Sequence, residues 1–118
     1  MARLIVDGPD LVVQMSSLEK LGALRGNVHV PLSTVRSAEI EPHPWAAVRG
    51  IRAPGTGIPG VIALGTRRFL QGKDFTAVVG RRPAVRVDLS DESPFSRLVV
   101  SVDDPDRTLA AIRSATGM

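Results

Sequence analysis

The sequence predicts one mainly β domain over residues 1–118, with a short helix near the amino terminus and a second helix closing the chain. Three observations carry that expectation. The apolar side chains are aliphatic and weighted toward branched ones, with 15 valines and 6 isoleucines against 11 leucines. Branching at Cβ restricts rotamers in a helix and packs well on a pleated surface. Eleven glycines and nine prolines recur at short intervals, which suits brief strands joined by turns. Strong helix-start signals occur at only two places, Ser16 and Asp104.

Taken in order, Leu4–Val6 and Leu11–Val13 flank Asp7-Gly8-Pro9-Asp10, whose residues favour a turn, so a hairpin or bent strand opens the domain. Ser16-Ser17-Leu18-Glu19 matches a capping box, and a helix is expected over about Ser17–Arg25. Leu18, Leu21 and Leu24 share one face of it, and Gly26 suits the position after the last turn. Val28-His29-Val30 alternates as a strand does. Thr34–Glu41 resumes after Pro31 and stops at Pro42 and Pro44, because proline cannot donate to a ladder. Trp45–Val48 fits a single helical turn, and Gly50–Gly60, with four glycines and two prolines, reads as a long loop.

From Val61 onward a β-meander is expected. Its strands are Val61–Leu70, Phe75–Val79 with Phe75, Ala77 and Val79 on one face, Val85–Leu89, and a last one through Leu98, Val100 and Val102. Adjacent Arg67 and Arg68 cannot both face water from a regular strand, so a bulge is expected at Gly65. Asp104 then caps a helix with Pro105 in its first position, Leu109 and Ile112 on its apolar side, and Gly117 past its end.

Charge is distributed unevenly. Between His43 and Arg86 there are eight basic residues and one acid, Asp74, within a chain of net charge +3. Val87–Asp106 carries six acids against Arg97. Arg67, Arg68 and Lys73 fall beside one turn of the meander and Arg81 and Arg82 beside the next, which makes two basic patches at opposite sheet ends. Either is a candidate anionic-surface contact.

Other chemistry is poorly supported. The absence of cysteine removes disulfides, thiol nucleophiles and thiolate metal sites. His29, Glu41 and His43 are the only grouping with metal-ligand character and lack the spacing of a zinc site, so no metal and no cofactor is expected. Gly55-Thr56-Gly57-Ile58-Pro59-Gly60 has the spacing of a dinucleotide fingerprint without the strand before it and the helix after it that such a site needs. No serine lies in a nucleophile-elbow pattern. Nucleic acid is disfavoured because only Phe69 and Phe75 accompany the cations, and both are wanted in strands.

Leu24–Ile40 (LRGNVHVPLSTVRSAEI), Gly57–Arg68 (GIPGVIALGTRR) and Leu98–Asp106 (LVVSVDDPD) resemble segments of uncharacterised bacterial proteins with a pleckstrin-homology-like (PH-like) domain. Thirteen arginines against two lysines fit a high-GC genome of actinobacterial type. The resemblance implies a split barrel of antiparallel strands whose open end is plugged by the carboxy-terminal helix. It also implies a non-catalytic scaffold, often self-associating. The basic R-x-R pattern by which lipid-binding members hold inositol phosphates is missing after Lys20 and Arg25.

The expected function is therefore a binding or assembly module, contacting a protein partner, a second copy, or an anionic surface through Arg67, Arg68, Lys73, Arg81 and Arg82. The alternative is a small enzyme or small-molecule-binding barrel with a pocket at Trp45, Arg49 and Arg52 beside the Gly50–Gly60 loop. The amino terminus is too short in apolar residues for a signal peptide, and no apolar run approaches the length of a membrane span. A cytoplasmic location is expected, peripheral to the inner face of the membrane where the module binds one.

Overall fold

The computed structural model describes the backbone of residues 1–118 and every side chain except those of residues 51–54. In chain order it contains β1 (Arg3–Asp7), β2 (Asp10–Gln14), α1 (Ser17–Ala23), β3 (Val28–Pro31), a 3-10 turn (Leu32–Thr34) and β4 (Val35–Glu41). There follow α2 (Pro44–Ala47), β5 (Ile51–Ile58), β6 (Ile62–Phe69), β7 (Gly72–Val79), β8 (Ala84–Leu89), β9 (Arg97–Val100) and α3 (Pro105–Thr116). The fold is mainly β. Strands β1-β2-β3 form one antiparallel sheet, and six strands in the order β4-β8-β9-β7-β6-β5 form the other.

Alternation along the strands explains how the sheets pack. Leu4, Leu11, Val13, Val28 and Val30 of the small sheet share one core with Phe75, Ala77, Val85, Val87, Leu98 and Val100 of the large one. Leu109 and Ile112 of α3 complete that core, and α3 lies against β1 and β4. Phe75 and Phe95 meet edge to face at 5.9 Å, the arrangement their quadrupoles favour. On the opposite face of the large sheet, α2 covers a shallower layer of Ala63, Val78, Ala84 and Val99.

Several local expectations hold. The Ser16 hydroxyl accepts from the Glu19 amide, and the Glu19 carboxylate accepts from the Ser16 amide. Asp104 caps α3 through the Arg107 amide, and Gly117 closes it at φ 77°. The opening hairpin pairs Asp7 with Asp10.

Others need correction. Helix α1 stops at Ala23 rather than Arg25, because Leu24 turns into the left-handed region at φ 56°. The face carrying Leu18, Leu21 and Leu24 points to solvent, while Ala23 is the residue buried. Gly50–Gly60 is not a loop: most of it is β5, antiparallel to β6. Its glycines serve close backbone approach rather than turning. A Cβ on Gly55 would stand 2.3 Å from the Leu64 carbonyl oxygen, and one on Gly50 2.6 Å from that of Arg68, so only glycine fits. The Gly55–Gly60 motif accordingly lies in a strand and its turn.

The register break falls on β5 between Arg52 and Gly55, whereas β6 runs past Gly65 against β7 without interruption. Strand β9 is not the end of a meander either. It lies between β7 and β8, parallel to β7 and antiparallel to β8. The faces of β7 are covered from Asp74 to Val78, and Val79, on the same face as Phe75 and Ala77, is exposed at the strand end.

No helix among the described residues is long and apolar enough to cross a membrane.

Candidate functional site

The basic residues singled out by the sequence separate into three places. Arg67 and Arg68 are neighbours on β6 and therefore project to opposite faces of the sheet. Arg81 and Arg82 sit in the β7–β8 connection, at the end of β7 opposite Lys73. Arg82 Nη2 approaches the Met1 sulfur at 3.7 Å, and the Arg81 guanidinium borders Gly60.

Arg67 belongs to a charged row that crosses the α2-covered face. In register across β4, β8, β9, β7 and β6 stand Ser37, Asp88, Arg97, Asp74 and Arg67. Opposite charges thus alternate on adjacent strands, the arrangement that stabilises cross-strand pairs. Arg97 Nε donates to Asp88 at 2.7 Å and its Nη1 to the Ala47 carbonyl at 3.3 Å. Arg67 donates to the carbonyls of Arg49 and Gly50 at 3.1 and 2.9 Å. Arg86 adds pairs to Glu39 and Glu41 at 2.9 and 3.4 Å.

At the centre of the row Asp74 is fully buried, and both of its oxygens accept from Arg49, at 2.6 and 3.1 Å. Hydrogen bonding to Asp74 raises the Arg49 pKa above its ordinary value against the opposing effect of burial. Arg49 also lies 4.5 Å from the Phe69 ring centroid. The row is a clamp: it ties residues 47–50 to the sheet and leaves Arg49, Arg67 and Arg97 committed to partners.

Of the residues expected to form a pocket, Trp45, Arg49 and Arg52, the first two border different cavities. Arg49 is drawn away to Asp74, and the Arg52 side chain lies outside the described residues. Trp45 stands elsewhere, its indole N–H donating to the Gly80 carbonyl at 2.8 Å. It walls an open cavity of about 400 Å³ with His43, Pro44, Pro59, Gly60 and Arg81.

The β6–β7 turn is built differently from the clamp. Arg68 on β6 and Lys73 on β7 are cross-strand partners, two like charges placed opposite each other at a cost in stability. Phe95 brings in a third cation. Lys73 Nζ lies 4.9 Å and Arg25 Cζ 5.2 Å from its ring centroid, so the end of α1 sits beside the base of the turn. Cation–π contact orients both groups without neutralising them. Among the described residues no acid stands within ion-pair distance of Arg25, Arg68 or Lys73. Three cations without an ion-pair partner thus stand together on one corner.

Arg25 is the member that sequence reasoning missed. Its neighbours Leu24 and Gly26 mark a helix end, and nothing in the linear order connects it with Phe95, seventy residues on. No group of three or more metal-ligating side chains occurs among the described residues. Comparison with family models, with curated proteins and with solved structures gives no match to this chain.

Proposed function

We propose that this protein is a non-catalytic binding module that contacts an anionic surface through the corner formed by Arg25, Arg68 and Lys73. The observation that carries the reading is the Arg68–Lys73 pair, in which like charges oppose each other with no acid at hand. Among the described side chains, the strand arginines Arg67, Arg86 and Arg97 pair with carboxylates or carbonyls, whereas Arg68 stands opposite a second cation. In fold terms the module reads as PH-like. Support comes from two sheets around a common core with α3 laid across β1 and β4.

Exposed cations contribute roughly 1 kcal/mol apiece at an anionic membrane surface. Three give a weak, salt-sensitive contact, and several self-associated copies strengthen it by avidity. The test is co-sedimentation with vesicles of phosphatidylglycerol and phosphatidylcholine, at low and at physiological salt. Wild type should sediment at low salt and be released as salt rises, while a Arg68→Gln, Lys73→Gln double variant should lose about fivefold in affinity per cation removed. Equal sedimentation of the two proteins, or none of the wild type at low salt, would overturn the reading.

A further inference from the structure

The corner that carries the cations also carries the most exposed large apolar side chain among the described residues. Leu70, at the tip of the β6–β7 turn, is 96% exposed, and Leu24, next to Arg25, is 64% exposed. Leu70-Gln71 is a two-residue connection closed by the Phe69–Gly72 pair. Such connections favour asparagine, aspartate and glycine, so turn geometry gives no reason for a leucine. Leu24 is the one non-glycine residue among the described residues in the left-handed region, at φ 56°. That conformation carries a backbone cost, and the chain holds it with the Leu24 and Arg25 amides bonded to the Leu21 and Lys20 carbonyls. Leu21 continues the apolar face one turn back, 69% exposed.

We infer that the occupant of this surface is an anionic lipid bilayer, into which the Leu70 turn inserts while Arg25, Arg68 and Lys73 meet the headgroups. The inference rests on the anionic-surface reading above and names the surface. Two observations favour lipid over a soluble polyanion. A polyanion offers nothing to a leucine standing beyond the cations, whereas a bilayer presents its charge outside and its hydrocarbon within. The order of the groups matches: Leu70 is at the tip, and Arg68 and Lys73 sit on the strands just behind it. Interfacial binding strengthens with both buried apolar area and attraction to anionic lipid, so the two features cooperate.

The chain has no cysteine, which allows a single label to be placed at will. Leu70→Cys and Val61→Cys, the latter at the opposite end of β6, would each carry an environment-sensitive fluorophore. With phosphatidylglycerol vesicles the label at residue 70 should shift to the blue and be quenched by spin-labelled acyl chains, and the label at residue 61 should not respond. Unlabelled Leu70→Ser should bind those vesicles about tenfold more weakly than wild type, with unchanged retention on heparin–agarose, a polyanion without hydrocarbon. An unshifted label at residue 70 on vesicles that still sediment the unlabelled wild type would overturn insertion and leave the anionic-surface reading standing. Failure of the wild type to sediment at all would overturn both.

Discussion

Arg67 and Arg68 are consecutive residues on one strand, and they live in opposite electrostatic worlds. Arg67 faces the α2-covered side, in register with buried Asp74 and bonded to two backbone carbonyls. Arg68 faces the other side, where its cross-strand partner is Lys73. A strand reverses side-chain direction at every residue, so identical chemistry one position apart is spent in one case on holding the fold and in the other on meeting something outside it. A run of basic residues in a β protein is therefore two populations, and only the face decides which cation is free.

The largest effect that sharpens this contrast is expected within the clamp. Arg49→Met strands the fully buried Asp74 carboxylate without its bidentate partner. The loss should be about 3 kcal/mol, at the low end for a broken buried pair because Arg49 itself is partly solvated. Urea unfolding should show it as a lower midpoint at unchanged slope. Arg67→Gln comes next. Losing two charge-assisted bonds to carbonyls at a partly exposed site should cost about 1 kcal/mol, with vesicle sedimentation left as it was. Arg68→Gln should be the smallest in stability, a gain of about 0.2–0.5 kcal/mol from relief of its like-charged opposition to Lys73, and it should weaken vesicle binding. Reversal of the last two outcomes, with Arg68 the stabiliser and Arg67 the binder, would dismantle the division between the faces.

Short-range features of the fold were legible in the sequence because their physics is local. The Ser16–Glu19 box, the Asp104–Pro105 start, the Gly117 stop and the Asp7–Asp10 turn each depend on residues within a few positions of one another. The β5 strand was hidden because glycine has two uses. At Gly50 and Gly55 it permits contact with a neighbouring backbone, and composition alone cannot distinguish that from a turn. Strand order was hidden because sequence adjacency favours a meander, and only the assembled sheet shows β9 seated between β7 and β8.

The site was half legible. Lys73 and Arg68 stood out as cations near a turn, but the partners that absorb Arg49, Arg67 and Arg97 lie on other strands or on the segment after α2. Charge counting therefore assigned Arg67 to the surface patch along with Arg68. The outward face of α1 is deceptive for a related reason: leucines at that spacing also mark buried stripes, whereas this helix is anchored through Ala23 and Gly22, the latter against Leu64.

The place of β9 also decides what closes the large sheet. Strands β7 and β8 are joined by a short connection yet do not pair with each other, since each bonds to β9 on the side that faces the other. Without β9, strands β7 and β8 set in their native places would face each other across a slot one strand wide, each with a row of unpaired amides and carbonyls. Arg97–Val100 fills that slot and so covers an edge of β7 that would otherwise be open to strands from other molecules. Closure of the large sheet therefore requires residues 97–100, and truncation before them should leave the β7 edge open and promote aggregation.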